Sequence, residues 1–183
     1  MSRITTPPTI EAAPAASQPL LQAVKKMLGV VPNLFRLVAN SPAALEGYLG
    51  MMSALNKGEL PAATRERIAL TVAEINGCSY CLSAHTYLGK NVAKLDDVEL
   101  ALNRTGKSND PKADAALKFA ALVTHSRGHV SETDLRAVKA AGYTDAQIIE
   151  IVQHVAFNTW TNYINEVMKI DVDFPLVSAR AAA

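Results

Sequence analysis

Apolar residues recur at spacings of three and four along most of this 183-residue chain, and that periodicity constrains the fold more than any other feature. The segment 62–75 shows it most clearly, with Ile68, Val72 and Ile75 on one predicted buried face. Gly, Pro and Asn separate the periodic segments, as they do at helix ends. No segment alternates apolar and polar residues as a half-buried strand would. We therefore predict an all-α fold, a single-domain bundle of roughly eight to ten helices.

The same signals place the helix boundaries and divide the chain into three parts. Predicted helices cover residues 19–28, 32–38, 42–56, 62–75, 78–90, 94–104, 111–127, 131–141 and 144–169. Ser131 and Thr144 are the expected caps of the last two helices. Residues 1–17, rich in Pro and Ala, are interpreted as an extended arm that either wraps a neighbouring subunit or is disordered. Residues 18–170 form the helical domain, and residues 171–183 form a tail.

The composition agrees with closely packed helices and disfavours several classes of partner. Hydrophobic residues make up 49% of the chain but aromatic residues only 5%, which is a poor composition for a β-sandwich. The net charge is +1 and no basic stripe appears, so we expect no nucleic-acid partner. No apolar run approaches the roughly 20 residues of a membrane span, and the N-terminus lacks the apolar core of a signal peptide. We therefore expect a cytoplasmic protein without a membrane partner.

The two cysteines of the chain are three residues apart, at Cys78 and Cys81, and His85 follows four residues later. In a reducing cytosol such a pair is more often catalytic or metal-binding than a structural disulfide. Residues three and four apart share one face of a helix, so we expect both thiols and the imidazole on one face. The first helical turn also meets the Cα separation of a disulfide, roughly 4.4–6.8 Å, so the pair can close and reopen. The motif therefore indicates redox chemistry.

The spacing alone leaves open which sulfur is the nucleophile. Cys78 is nearest to the predicted helix N-terminus, whose partial positive charge favours a thiolate. Cys81 is one turn from His85, which can accept its proton or stabilise its thiolate. Both arguments are physically sound, and neither excludes the other.

The carboxylate partner of the imidazole also has two candidates. If one helix runs on without a break, Glu74 shares a face with Cys78. If the chain turns at Asn76-Gly77, Glu66 on the preceding antiparallel helix comes back toward His85 instead. Because the helical rise is about 1.5 Å per residue, Glu66 then lies roughly 12–15 Å back from the turn, which matches the far end of the Cys–His helix.

Residues Glu66 to His85 read ERIALTVAEINGCSYCLSAH, and this segment resembles the core of the alkylhydroperoxidase D / carboxymuconolactone decarboxylase family. The upstream glutamate, the Asn-Gly-Cys and the Cys-x-x-x-His occur in the order that the family has. The helix pattern from about residue 30 to residue 170 is similar to that of the peroxidase-related branch. The resemblance implies an all-α homo-oligomer, often a trimer or hexamer, that reduces organic hydroperoxides or hydrogen peroxide through its thiol pair.

The resemblance also implies a role for each residue of the motif. Cys81 would be the peroxidatic thiol and Cys78 the resolving thiol. His85 and Glu66 would form the proton relay, with Glu74 as a second candidate for the carboxylate. An external dithiol or a protein reductant would regenerate the thiols, and no cofactor is expected.

The chain departs from the best-known peroxidase of the family at Tyr80, where that enzyme has a second histidine immediately before its second cysteine. Three alternatives to a peroxidase stay open. One is a protein disulfide reductase or redox sensor that uses the same thiols. The others are a carboxymuconolactone-decarboxylase-like enzyme, although that branch lacks the cysteine pair, and a non-redox helical oligomer.

Other polar residues are interpreted as structural. Structural zinc usually takes four ligands, whereas the motif offers two thiols, one imidazole and at most one carboxylate, so no metal site is predicted. Four polar residues inside the last predicted helix are interpreted as packing or subunit-contact residues in preference to pocket residues: His154, Asn158, Asn162 and Asn165.

Overall fold

A computed structural model describes residues 2–180, and the described chain contains nine α-helices and no strand. The helices are α1 (Gln18–Leu28), α2 (Asn33–Val38), α3 (Pro42–Leu55), α4 (Ala62–Ile75), α5 (Ser79–Asn91), α6 (Asp97–Asn103), α7 (Pro111–Ser126), α8 (Glu132–Ala140) and α9 (Asp145–Met168). The predicted all-α fold is confirmed. Within these residues, no helix has both the length and the apolar character that crossing a membrane requires.

Most helix ends lie where the local sequence signals predict them. Ser131 and Thr144 are the N-caps of α8 and α9, and each belongs to a reciprocal capping box. The prediction for α6 is wrong at its start, because the helix begins three residues later than residue 94. Lys94 has a left-handed backbone with φ 59°, and the Asp96 carboxylate accepts the backbone N–H of Glu99 at 2.8 Å. Asp96 is therefore the cap of α6.

Helix α4 is the centre of the fold and packs against α5, α6, α7 and α9. Six consecutive residues of α4, 68–73, are buried, so this helix has no solvent-exposed side over that stretch. Ile68 and Val72 contact a core formed with α7 and α9, while Leu70 and Ala73 contact a core formed with α1, α2 and α5. Ile75, at the C-terminal end of α4, is only partly buried, unlike its predicted position on the buried face.

The segments before α1 and after α9 lie against the chain's own helices. In the N-terminal segment, Ile10 and Ala13 are buried, and the backbone N–H of Arg3 donates to the carbonyl of Met168 at 2.7 Å. The described part of this segment is therefore packed on its own chain, and contacts of the predicted arm with a neighbouring subunit stay a prediction. The C-terminal tail runs along α5 as far as residue 180. Residue 1 and residues 181–183 of the predicted arm and tail lie outside the described residues.

Candidate active site

A sharp turn between α4 and α5 brings the cysteine helix back alongside its predecessor. Helix α4 ends at Ile75, and Gly77 has φ +69°, a left-handed conformation that glycine adopts without steric cost. The backbone N–H of Cys78 donates to the carbonyl of Ala73 at 2.9 Å, and α5 begins at Ser79. The chain therefore turns at the predicted break, and α4 and α5 pack as a helical hairpin.

The two cysteines are free thiols inside the first turn of α5, and they differ in acidity. Cys78 is the N-cap, and its sulfur accepts the backbone N–H of Cys81 at 3.2 Å. Hydrogen bonding between the two side chains lowers the pKa of Cys81 despite the opposing effect of burial, and it raises the pKa of Cys78. The thiolate is therefore favoured on Cys81 and the proton on Cys78.

His85 and Glu66 form an ion-pair geometry one helical turn beyond Cys81. The Nδ1 atom of His85 lies 2.8 Å from Oε2 of Glu66, which α4 brings back across the hairpin. Burial alone would lower the pKa of His85, but the Glu66 carboxylate outweighs it and raises that pKa. The charge of His85 in turn lowers the pKa of Cys81. The hairpin thus brings together the four residues that carry the predicted chemistry: Cys78, Cys81, His85 and Glu66.

Helix α9 contributes a buried polar face, which we call the inner stripe: His154, Asn158, Thr161, Asn162 and Asn165. The side-chain amide of Asn165 donates to the Cys81 sulfur at 3.2 Å. The hydrogen bond from Asn165 further lowers the pKa of Cys81. Asn162 and Asn165 are both buried, as expected of packing residues, and Asn165 in addition contacts the sulfur of Cys81. The sequence held one indication of this contact with the site: asparagines recur at helical spacing there, which is unusual inside a helix.

Comparison with known proteins agrees with this geometry. Residues 42–120, which include the whole α4–α5 hairpin, match the model of the carboxymuconolactone decarboxylase family. An alkylhydroperoxidase AhpD core structure, a peroxidase-related protein from Ralstonia eutropha JMP134, has 25% identity and a TM-score of 0.84. The alignment covers 94% of this chain and 92% of that one. Residues 42–120 are thus similar to the carboxymuconolactone decarboxylase family, and the fold of the chain is similar to that of the alkylhydroperoxidase AhpD core.

Two further solved structures have a fold similar to that of this chain. A peroxidase-related protein from Silicibacter sp. TM1040 has 25% identity and a TM-score of 0.78, with 87% of this chain and 85% of that chain covered. A variant of the debrominase Bmp8 in complex with 2,3,4-tribromopyrrole has 20% identity and a TM-score of 0.79 over 94% of each chain. The latter likeness shows the fold alone. Comparison with curated proteins finds no match.

Tyr80 stands where the best-known peroxidase of the family has its second histidine, and its hydroxyl faces away from the relay. It accepts the backbone N–H of Leu34 at 3.1 Å and donates to the Asp173 carboxylate at 2.8 Å. Burial is the main cause of its raised pKa, so the phenol stays protonated. Phe174 packs edge-on against the ring. Tyr80 therefore connects α2, α5 and the C-terminal tail.

Glu74, the second candidate for the relay carboxylate, has its contacts elsewhere. Its side chain accepts a hydrogen bond from Nε of Arg104 at 2.6 Å and another from the backbone N–H of Arg180 at 2.9 Å. Burial opposes ionisation, but these donors and their charges outweigh it and lower the pKa of Glu74. Glu74 thus links Arg104 and Arg180 of the tail, and its hydrogen bonds go to these two residues.

An aromatic cluster lies beside the relay. The ring of Tyr48 stacks on Phe157 and Trp160 at centroid distances of 5.0 and 5.2 Å. Burial raises the pKa of Tyr48, and the charges of Cys81 and Glu66 raise it further, so its hydroxyl is neutral near both. Among residues 2–180, no cluster of three or more His, Cys, Asp or Glu side chains is arranged to hold a metal ion.

Proposed function

We propose that this protein is a thiol-dependent peroxidase that reduces hydroperoxides through Cys78 and Cys81. The observation that supports it most directly is the arrangement of the thiols: Cys78 caps the turn that carries Cys81, and the amide of Asn165 donates to the Cys81 sulfur at 3.2 Å. A peroxidase needs a thiolate to attack and a neighbouring thiol to resolve the product. The His85–Glu66 pair at 2.8 Å supplies a proton donor one turn away.

In the first step, the Cys81 thiolate attacks the terminal oxygen of the hydroperoxide. A sulfur–oxygen bond forms as the oxygen–oxygen bond breaks, so the sulfur loses two electrons and the peroxide gains them. The product on the enzyme is a sulfenic acid, and the leaving group is an alkoxide, or hydroxide from hydrogen peroxide. His85, whose pKa is raised by Glu66, gives that oxygen its proton and is reprotonated from solvent.

In the second step, the Cys78 thiol displaces water from the sulfenic acid and forms the Cys78–Cys81 disulfide. The backbone N–H of Cys81 donates to the Cys78 sulfur at 3.2 Å, so that sulfur is already held beside Cys81 in the first turn of α5. An external dithiol, either a small molecule or a protein reductant, then returns both cysteines to thiols by exchange and leaves as a disulfide. We place this cycle in the cytoplasm because a reducing compartment supplies such a dithiol.

The stacked rings of Tyr48, Phe157 and Trp160 favour an organic hydroperoxide over hydrogen peroxide as the better substrate. Aromatic faces bind apolar carbon chains or rings and contribute little to a substrate that has none. We therefore expect tert-butyl or cumene hydroperoxide to react faster than hydrogen peroxide at equal concentration.

Peroxide consumption by single-cysteine variants tests the proposal. With a competent dithiol present, Cys81→Ser is expected to abolish turnover. Cys78→Ser is expected to keep the first oxidation and lose efficient recycling. Undiminished turnover by Cys81→Ser would refute the assignment of the nucleophile.

His85→Ala is expected to lower the rate of peroxide consumption by about 10²–10⁴, the usual contribution of general acid–base catalysis.

Disulfide exchange on a protein substrate is a weaker candidate for the same thiols. Cys78 and Cys81 are 0% and 3% exposed, so a disulfide held in a folded protein has less access to either sulfur than a small hydroperoxide has. A decarboxylase-like reaction has only the similarity of residues 42–120 to the carboxymuconolactone decarboxylase family in its favour. Reduction of a test protein disulfide without peroxide consumption would favour the first of these over the peroxidase.

We also propose that the protein is a homo-oligomer, a trimer or hexamer, in which α9 carries the subunit contact. The side of α9 opposite the inner stripe is apolar and exposed, and we call it the outer stripe: Ile149, Val152, Ala156, Tyr163 and Val167. These five residues carry no charge, so two copies can meet there without charge repulsion. An apolar stripe this long on a helix is typical of an interaction surface.

A further inference from the structure

Three polar atoms on the inner stripe of α9 are buried and lack a hydrogen-bond partner: Nε2 of His154, Nδ2 of Asn162 and Oδ1 of Asn165. A buried polar group that is left unpaired costs about 1–3 kcal/mol, so such groups in a native protein need an explanation. The last two belong to Asn165, which donates to the Cys81 sulfur, and to Asn162, whose side chain is close enough to affect the pKa of Cys81. They therefore lie beside the reactive sulfur, one a donor and the other an acceptor.

The orientation of both amides is fixed by neighbouring groups. Nδ2 of Asn165 donates to the Cys81 sulfur at 3.2 Å and to the carbonyl of Thr161 at 2.8 Å, so its oxygen turns the other way. Oδ1 of Asn162 accepts Nδ2 of Asn76 at 2.9 Å, which leaves its own N–H₂ group unpaired. Asn76 belongs to the turn that precedes Cys78, so the same turn positions a thiol and an amide.

We propose that the side chains of Asn162 and Asn165 form a carboxamide cradle that binds the hydroperoxide group against Cys81. Oδ1 of Asn165 accepts the hydroperoxide O–H, and Nδ2 of Asn162 donates to the oxygen that leaves. This inference rests on the proposed peroxidase function and adds the residues that recognise its substrate.

The cradle matches the hydrogen-bonding capacity of a hydroperoxide. An R–O–O–H group has one O–H donor and oxygen acceptors, so it pairs both orphaned atoms at once. A disulfide has neither an O–H nor an N–H, and it would leave the Asn165 oxygen unpaired. As the O–O bond breaks, negative charge develops on the leaving oxygen, and a fixed amide donor stabilises it most at that moment. The proton that completes the alcohol comes from His85, not from the amide.

The closing experiment compares two reactions of the same thiolate. One is the single-turnover oxidation of Cys81 by tert-butyl hydroperoxide, followed through Trp160, the one tryptophan of the chain. The other is alkylation by iodoacetamide, which needs the thiolate but has no O–O–H group. Asn162→Leu is expected to lower the oxidation rate by about 10²-fold, the typical loss of one preorganised donor, and to leave alkylation per thiolate unchanged.

Matched variants keep the test informative. Asn165 contacts the Cys81 sulfur and, in this proposal, the substrate. Asn165→Leu is therefore expected to slow oxidation and to raise the pKa of Cys81. Asn158→Leu is the control, because Asn158 is as deeply buried on the same stripe but bonds to the carbonyl of His154. It is expected to change neither reaction. If Asn162→Leu does not fold, Asn162→Asp removes the donor at nearly the same size and is compared at equal thiolate fraction.

The cradle and the peroxidase proposal fail in distinguishable ways. If the native protein is alkylated normally but is not oxidised by any hydroperoxide, the peroxidase function falls, and the cradle falls with it. If the native protein is oxidised and both Asn162 variants are oxidised equally fast per thiolate, only the cradle is overturned. Slower oxidation of Asn162→Leu with unchanged alkylation would support both.

Discussion

At the scale of single residues, the chemistry of the site depends on where one proton and one positive charge reside. Hydrogen bonding with Cys78 favours the thiolate on Cys81 and the proton on Cys78. The amide of Asn165 also donates to the Cys81 sulfur. His85 adds a positive charge because Glu66 raises its pKa. Each of these effects lowers the free energy of the Cys81 thiolate, whereas burial raises it.

The first prediction concerns the pH dependence of Cys81. Its thiolate is expected to form with a midpoint below the pKa of a free cysteine, about 8.5, so alkylation should already be fast at neutral pH. Glu66→Gln removes the charge that raises the pKa of His85. The imidazole then loses its proton at lower pH, and the midpoint of Cys81 moves upward toward the free value.

The measurement is iodoacetamide alkylation across the pH range, with peptide mapping to separate the two cysteines. Glu46→Gln is a suitable control, because Glu46 is an exposed residue of α3 outside the site. A midpoint for Cys81 at or above that of free cysteine, or the same midpoint in Glu66→Gln, would contradict this arrangement of charges.

The second prediction separates Tyr80 from the relay. Tyr80→Phe leaves the backbone N–H of Leu34 buried without its partner and removes the donor to Asp173. We expect the free energy of unfolding to fall by about 1–3 kcal/mol, the cost of an unsatisfied buried group, with single-turnover oxidation unchanged. Urea unfolding and stopped-flow oxidation test both parts. A large loss of oxidation rate in a folded Tyr80→Phe protein would show that the phenol takes part in proton transfer.

At the scale of elements, the tail is the segment that most directly limits access to α5. The backbone N–H groups of Val177 and Ala179 donate to the side chains of Ser83 and Ser79 at 2.9 and 3.1 Å. Val177 and Ala179 also pack against the core that contains both cysteines. These two backbone N–H groups thus hold the tail to the first two turns of α5.

The third prediction follows from these contacts. Deleting residues 173–183 is expected to speed the reaction of both thiols with a disulfide reagent and to lower the melting temperature, because the segment covers apolar core. Deleting residues 181–183 alone is the control, because it leaves the contacts of Val177 and Ala179 in place. Equal thiol reactivity in the two deletions would contradict a covering role for the tail.

Much of the helix pattern was predictable from sequence, and the exceptions share one cause. The caps at Ser131 and Thr144 and the turn at Gly77 are local, so a few residues determine them. The pairing of Glu66 with His85 followed from helical rise once the turn was recognised. The roles of Asn162 and Asn165 were not predicted, because they depend on which side of α9 faces α5, and that is a property of the packed molecule.

At the scale of the whole molecule, α9 has apolar residues on two sides. It buries Ile148, Ile151 and Val155 in the core, as a surface helix normally does. Its outer stripe is also apolar but is exposed: Ile149 66%, Val152 43%, Tyr163 60% and Val167 54%. That second apolar side is explained if another copy of the chain covers it.

The fourth prediction concerns that surface. Val152→Glu and Tyr163→Glu are expected to reduce the mass in solution from that of a trimer or hexamer to that of a monomer, with helix content unchanged. Each places a charge in an apolar contact, where an unpaired charge is costly. Leu122→Glu on α7 is the control, being 41% exposed but outside the stripe. Light scattering decides the outcome, and a monomeric native protein would contradict the proposed contact.

The identity of the first oxidised sulfur tests the central proposal most directly. The reduced protein, Cys78→Ser and Cys81→Ser would each be mixed with tert-butyl hydroperoxide in the presence of dimedone, which traps sulfenic acids, and the products mapped by mass spectrometry. We predict a Cys78–Cys81 disulfide in the native protein, a dimedone adduct on Cys81 in Cys78→Ser, and no adduct in Cys81→Ser. An adduct on Cys78 in Cys81→Ser, with Cys81 unmodified in Cys78→Ser, would contradict the proposal.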